Sequence, residues 1–188
     1  MKLRVRYNAP VILTFSLVCL AVLVLLAVTH DRLRGYFVAP GYAGWGDPRF
    51  YVRLFTHVLG HADTHHLLAN LTIILLLGPL LEEKYGSVTL LEMIAITAVV
   101  TGALNVVLFN TGLMGASGVA FMLIVLASLA NFRRGEVPLT FVLVAILFLG
   151  AEVAAAMNDR DNISQFAHVA GGLCGAALGW FVEGRSET

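Results

Sequence analysis

Charged side chains are scarce in this chain of 188 residues. Only 13% of the residues are Asp, Glu, Lys or Arg, about half the share of a typical soluble domain. The 12 basic and 12 acidic residues cancel, which excludes a basic nucleic-acid binder, and the hydrophobic share of 59% excludes a disordered chain. Cys19 and Cys174 lie in apolar runs without the spacing of a disulfide framework or a metal site. The composition predicts a membrane protein, with the lipid bilayer as its surroundings and no nucleic-acid partner.

Long apolar runs are what the chain has in abundance. A membrane-spanning helix needs about 20 mainly apolar residues, and each run is predicted as a helix because backbone groups in lipid must be satisfied within the segment. The sequence therefore predicts an all-α polytopic membrane protein: one membrane-embedded domain over residues 1–188, with six transmembrane helices and a long first loop at 30–63. The predicted helices span 10–29, 65–81, 89–110, 116–132, 138–157 and 164–182.

The first apolar run has two interpretations. Lys2, Arg4 and Arg6 precede it as in a secretory signal peptide, but the run exceeds the usual signal core of about 7–15 residues. A retained span is favoured, and a signal followed by five spans stays open. With six spans, seven of the 12 basic residues lie on the side of the termini. The positive-inside rule then predicts a multi-pass protein with both termini cytoplasmic, in the plasma membrane if the source is prokaryotic.

Four polar side chains are predicted to lie at one depth in the outer half of the membrane. His66 and Asn70, four residues apart, share one face near the start of the second span. Ser117 opens the fourth span, and His168 lies about one turn into the sixth. Because polar residues within a membrane are costly, each is a candidate functional residue.

The segment Gly115-Ala116-Ser117-Gly118 favours a nucleophilic serine at the start of a helix. The free N–H groups of a first helical turn, aided by the helix dipole, can stabilise an oxyanion. His168 is the candidate general base, and Asn70 and His66 are candidate donors to the oxyanion beside the Ser117 backbone. Taken singly, such residues are usually a helix cap, a packing histidine or an interhelical amide. Their coincidence at one depth favours catalysis.

Small and aromatic residues flank these candidates. Gly171 and Gly175 follow His168 at four-residue spacing, which predicts close packing of the sixth span and an approach of His168 to Ser117. Phe121 lies one turn after Ser117, where it is either a lipid or core contact or an aromatic surface against the imidazole.

The remaining histidines and acids are assigned no catalytic role. His57, His61 and His65 recur every four residues, but the glutamate of a His-Glu-x-x-His zinc site is missing between His61 and His65. Hydrogen bonds that shape the loop are favoured over a metal, so neither metal nor cofactor is predicted. Glu152 in the fifth span is predicted to be non-catalytic, which leaves a Ser–His dyad without a third acid.

With these motifs in order, the sequence resembles the rhomboid family of intramembrane serine proteases over about residues 53–181. The motifs are His66-x-x-x-Asn70 in the second span, Gly115-Ala116-Ser117-Gly118 opening the fourth, and Ala167-His168-x-x-Gly171-x-x-x-Gly175 in the sixth.

The resemblance implies a six-helix core with a water-filled cavity, and cleavage of peptide bonds in transmembrane substrates. It implies Ser117 as nucleophile, His168 as general base, and an oxyanion hole formed by Asn70, His66 and the Ser117 backbone. It also implies that Arg53 steadies the first loop, although Val52 replaces the tryptophan that often precedes this arginine. Phe121 stands where many members have tyrosine.

The sequence thus predicts an intramembrane serine endopeptidase whose partners are transmembrane-helix proteins. Two alternatives stay open: a non-proteolytic protein that binds and escorts transmembrane segments, and a small transporter that uses the polar layer as a permeation site. The oligomeric state and the substrate are not predicted.

Overall fold

The structure, a computed structural model, describes residues 7–129, 139–140, 142–143, 146–147 and 162–186. Within these residues the fold is all-α, and an isolated antiparallel bridge between Ala39 and Leu113 is the nearest approach to a strand. Short 3-10 turns at Arg34–Tyr36 and His57–Leu59 accompany the helices. The helices are α1 (Pro10–Val28), α2 (Pro48–Thr56), α3 (Thr64–Tyr85), α4 (Ser87–Leu108), α5 (Ser117–Leu129) and α6 (Asn162–Ser186).

Three of these helices are long and apolar enough to cross a membrane. They are α1 with 19 residues and α3 and α4 with 22 each, or about 33 Å at 1.5 Å per residue. Shorter apolar stretches form α5 and the segment 166–182 of α6. Large apolar side chains such as Leu76 and Val107 are exposed on the outside of the bundle. The prediction of an all-α membrane bundle is confirmed, while most of the fifth predicted span, 138–157 with Glu152, lies outside the described residues.

The predicted first loop, 30–63, contains a helix that the sequence analysis did not assign. Asp47 accepts a hydrogen bond from the Arg49 N–H at 2.9 Å and so caps α2, and Pro48 occupies the first helical position. Phe50 is buried, whereas Tyr51 and Phe55 remain exposed. Apolar side chains therefore lie on both the buried and the exposed sides of α2.

Helix α3 extends one turn beyond its predicted end at residue 81. The charged run that begins at Glu82 lies within the helix, and Glu82 itself is buried inside the fold. Its carboxylate accepts hydrogen bonds from the N–H groups of Val11 and Ile12, each at 3.0 Å, and from the Ser87 hydroxyl at 2.7 Å. Glu82 thereby caps the first turn of α1, which the preceding Ala9 has no side-chain oxygen to cap.

Helix α5 is the centre of the bundle, and α6 packs closely against it. Val119, Met122 and Leu123 of α5 are completely buried. A β-carbon at Gly175 would stand 2.5 Å from the Met122 carbonyl oxygen, and one at Gly171 would collide with the backbone of Gly118. The glycines therefore let the backbones of α5 and α6 touch, which sets the distance between the residues that each helix carries.

Candidate active site

Ser117 is the first residue of α5 and follows a turn that requires glycine. Gly115 has a φ of +133°, a backbone conformation that side-chain-bearing residues rarely adopt. Gly115, Ala116 and Gly118 are buried, while Ser117 between them is half-buried. Because the first N–H groups of a helix have no carbonyl partner within it, they remain available beside the Ser117 hydroxyl. This turn combines a hydroxyl with free backbone donors.

His168 lies against the face of α5 that carries Ser117. Its ring stacks on Phe121, with 4.2 Å between ring centroids and 30° between ring planes. A β-carbon at Gly118 would lie 3.3 Å from the carbonyl oxygen of Ala167, the neighbour of His168. Phe121 is one helical turn from Ser117 on α5. The structure thus stacks His168 on a residue one turn from Ser117.

His66 closes the other side of the turn. A β-carbon at Gly115 would stand 2.6 Å from Cε1 and 2.8 Å from Nε2 of the His66 ring. The amide N–H of His66 is itself held by the Asp63 side chain at 2.8 Å, the N-cap of α3. Asp63 therefore holds the backbone of His66, and the His66 ring covers Gly115, two residues before Ser117.

Asn70 carries a donor without an acceptor. It lies one turn after His66 on the same face of α3, and its side chain is only 6% exposed. Its Nδ2 atom is buried and has no hydrogen-bond partner among the described residues. Buried polar groups in proteins are nearly always paired. A buried amide donor without an acceptor is the feature expected of a group that awaits a charge formed during a reaction.

His57 and His61 hold the turn from the loop side through hydrogen bonds. The His57 carbonyl accepts from the Gly115 N–H at 3.0 Å, and Nε2 of His61 accepts from the Ala116 N–H at 3.4 Å. The His61 ring also meets His66 edge-on, at 5.1 Å between centroids. Burial lowers the pKa of His57 and of His61 to about 4, so both rings are neutral at pH 7. A neutral ring is what the acceptor role of His61 requires.

His65, the third member of this series, is exposed and does not join them. Among residues that the structure describes, no three His, Cys, Asp or Glu side chains converge on a possible metal position. The ring of His57 turns toward α4, with Nδ1 donating to the Arg53 carbonyl at 3.2 Å and Nε2 lying 3.4 Å from the Thr101 hydroxyl.

Helix α4 supplies polar contacts that the sequence analysis did not single out. Thr97, Thr101 and Asn105 recur at four-residue spacing and are all buried. The Asn105 amide donates to the carbonyl oxygens of Pro40 at 3.3 Å and Thr111 at 3.0 Å, so it ties the first loop to the turn before α5. The signal was present in the sequence, as a polar stripe within a charge-free run.

Arg53 lies in the last turn of α2. Its backbone carbonyl holds the His57 ring, but its side-chain Nε is buried with no partner among the described residues. The contact between this residue and the loop therefore runs through the backbone.

Comparison with known proteins places this arrangement in a family. The family model described as "Rhomboid domain" matches residues 48–185, which contain helices α2 to α6 and every candidate residue named above. The chain belongs to the rhomboid family.

Relatives within the family include proteases. The chain is 32% identical over 142 residues to Rhomboid-related protein 1 of Caenorhabditis elegans, a match that covers 69% of this chain and 39% of the relative. It is 27% identical over 174 residues to Rhomboid protease GlpG of Salmonella paratyphi A, covering 90% of this chain and 62% of the relative. The chain is 25% identical over 136 residues to Rhomboid protease GlpG of Haemophilus influenzae, a match that covers 71% of this chain and 70% of the relative. The printed names of the two GlpG relatives describe them as proteases. Family membership and the long apolar helices support an integral membrane protein. The chain spans less than two thirds of the length of the first two relatives.

Proposed function

We propose that this rhomboid-family chain is an intramembrane serine endopeptidase that cleaves transmembrane segments with a Ser117–His168 dyad. The observation that carries the proposal is the stack of His168 on Phe121, one turn from a serine that opens a helix. The orphaned Asn70 amide supports it from the opposite helix. Both termini are proposed to be cytoplasmic, with six spans, so that the site opens toward the outer face.

The proposed reaction is acyl transfer in two steps. Oγ of Ser117 attacks the peptide carbonyl carbon while His168 removes the hydroxyl proton. The Ser117 N–H, Nδ2 of Asn70 and the His66 ring stabilise the oxyanion. The C–N bond then breaks, and His168 returns the proton to the leaving amine. In the second step water, activated by His168, attacks the acyl-enzyme and releases the acid, which restores the serine.

The stack on Phe121 takes over the positioning that a third catalytic acid provides elsewhere. In a Ser-His-Asp triad the acid holds the imidazole in its orientation. Here the phenyl ring, fixed on the buried helix α5, lies parallel within 30° to the imidazole and limits its rotation. A ring held in this way needs no carboxylate to keep one nitrogen toward Ser117.

The proposed substrates are transmembrane helices that unwind locally at the cleavage site. A helical peptide bond is shielded by its own hydrogen bonds, so the chain must open before a serine can attack it. Glycine lowers the cost of opening by about 1 kcal/mol relative to alanine. We therefore expect cleavage next to small or helix-destabilising residues.

The test uses the purified full chain and a fluorogenic transmembrane peptide in detergent micelles. We expect Ser117→Ala and His168→Ala to lower the cleavage rate by at least about 10³-fold. Two variants are matched controls, and we expect near-normal rates from both. Ser128→Ala changes a serine on the same helix that bonds only to the Val125 carbonyl in the described chain. His65→Ala changes an exposed histidine. A fluorophosphonate should label the native chain and not Ser117→Ala.

Other outcomes separate the remaining functions. Cleavage that persists in both Ser117→Ala and His168→Ala would refute the dyad. Binding of transmembrane peptides without any cleavage would indicate the escort function, and solute flux in vesicles that survives Ser117→Ala would indicate a transporter.

A further inference from the structure

A second cavity lies in the first loop, apart from the Ser117–His168 site. It has a volume of about 400 Å³, within the range of small-ligand sites. Two cationic side chains, Arg34 and Arg53, line it together with polar groups of Tyr42 and Asn110 and the backbone of Gly41 and Gly112. Within the described part of the chain, none of the residues that line this cavity is acidic.

Arg53 is the unusual member of the cavity wall. Its Nε is buried and has no hydrogen-bond partner within the described ranges, although the residue as a whole is only half-buried. A guanidinium offers five N–H donors and stays charged at any pH at which the protein folds. Because an unpaired buried donor of a charged group is costly, an anion in this cavity would be a favourable partner for Arg53.

Arg34 can turn toward the same anion. Its ion pair with Asp31 is long, at 3.6 Å, and the two side chains are 44% and 61% exposed. Ion pairs of this exposure contribute little to stability, so the pair does not fix the Arg34 guanidinium. Two arginines on one small cavity match the forked recognition of phosphate oxygens.

The position of the cavity indicates where such a phosphate comes from. The loop joins the end of α1 at Val28 to the start of α3 at Thr64, so it lies where two apolar helices leave the membrane. Five exposed aromatic rings belong to the same loop, as in the aromatic belt of membrane interfaces, and Tyr42 among them lines the cavity. These rings are Tyr36, Tyr42, Trp45, Tyr51 and Phe55.

We propose that the Arg34–Arg53 cavity binds a phosphate monoanion presented by an anionic phospholipid headgroup of the adjoining leaflet. Arg53 and Arg34 donate to the phosphate oxygens, and the aromatic rings lie beside the upper part of the acyl chains. The bound lipid fixes the first loop relative to the bilayer. This site does not depend on proteolysis, and its test needs no substrate.

The test measures the affinity of the full chain for a short-chain phosphatidylglycerol in a non-ionic detergent by microscale thermophoresis. Phosphatidylcholine of the same chain length and inorganic phosphate are the comparison ligands. We expect phosphatidylglycerol to bind most tightly. Arg34→Gln and Arg53→Gln should each weaken its binding about fivefold, the effect of one basic residue at an anionic surface.

The loop offers a closely matched control for Arg34. Arg49 carries the same charge in the same loop and pairs with Asp47 at the same 3.6 Å, with exposures of 63% and 47%, but it does not line the cavity. Arg49→Gln should leave the affinity unchanged. Arg34 is exposed, so its variant remains informative even if Arg53→Gln fails to fold.

Two results would overturn the proposal. If Arg49→Gln weakens binding as much as Arg34→Gln, the loop attracts lipid by net charge rather than through a site. If inorganic phosphate binds as tightly as phosphatidylglycerol, the cavity takes a free anion and the assignment to a headgroup is wrong.

Discussion

The two ends of helix α3 differ in how their buried polar atoms are paired. At the end near α1 and α4, both carboxylate oxygens of Glu82 accept hydrogen bonds, from Val11, Ile12 and Ser87. Nearer the end that meets α5, Nδ2 of Asn70 is buried without a partner among the described residues. Because an unpaired buried group costs stability, the paired end is the one that stabilises the fold. The unpaired Nδ2 of Asn70 is the group proposed above as an oxyanion donor.

Removal of the Glu82 carboxylate is expected to have the largest effect on stability. Glu82→Ala leaves the N–H groups of Val11 and Ile12 and the Ser87 hydroxyl without their acceptor, at a cost of about 3–5 kcal/mol. The free energy of unfolding in mixed micelles measures this. Glu82→Gln keeps the side-chain shape and one strong acceptor, so it should lower the free energy of unfolding by less. If Glu82→Ala is as stable as the native chain, the stabilising role of this end is wrong.

Replacement of Asn70 should lower activity while leaving stability nearly unchanged, the opposite of what is expected at Glu82. Asn70→Ala is expected to lower kcat by about 10²–10³-fold, the usual effect of losing one oxyanion donor. It breaks no hydrogen bond in the described structure, so the free energy of unfolding should change by less than about 1 kcal/mol.

Asn105→Ala is the control for Asn70, because the Asn105 amide donates to Pro40 and Thr111. Asn105→Ala should destabilise the fold by about 1–3 kcal/mol. Comparable stability losses in both variants would show that Asn70 is structural.

Stability should fall in mild acid because of the loop histidines. The pKa of His57 is lowered by burial from 6.5 to about 4, so the unfolded chain takes up a proton at a higher pH than the folded chain does. The contribution of neutral His57 to the free energy of unfolding is complete above about pH 6.5 and is lost as the pH falls toward 4. By linkage it amounts to about 3 kcal/mol. Unfolding measured from pH 7.5 to 4 tests this. His57→Gln should flatten the profile, and the exposed His65→Gln should not.

The smallest effect is expected at the contact between α5 and α6. Gly175→Ala places a β-carbon 2.5 Å from the Met122 carbonyl oxygen, and rigid backbone there cannot yield, so we expect a loss of about 1–3 kcal/mol. At Gly179 the nearest atom is the Cδ1 of Leu126 at 3.0 Å, the end of a flexible side chain. Gly179→Ala should therefore cost less, and equal losses would contradict the close-packing account.

Local signals identified the helices well. The apolar runs predicted α1, α3, α4, α5 and α6 to within a few residues, because a bilayer demands helices of fixed length and composition. Ser117, His66, Asn70 and His168 were selected because polar groups within such runs are rare. Their catalytic roles remain predictions.

The features that sequence reasoning missed all depend on distant contacts. The predicted second span ends at residue 81, yet Glu82, the next residue, caps a helix that lies 70 residues earlier in the chain. The four-residue spacing of His57 and His61 suggested a metal as one alternative, but the first ring turns to α4 and the second to the turn before α5. Spacing along a chain shows which residues can share a face, and not which neighbour that face meets.

The sequence by itself determined that the chain is a helical membrane protein, because hydrophobicity and helical periodicity are local properties. The tertiary structure decided that His168 stacks on Phe121, that Nδ2 of Asn70 has no partner among the described residues and that two arginines line a cavity whose described walls carry no acid. These depend on how closely the helices approach, which the glycines of α6 permit but only the packed bundle fixes.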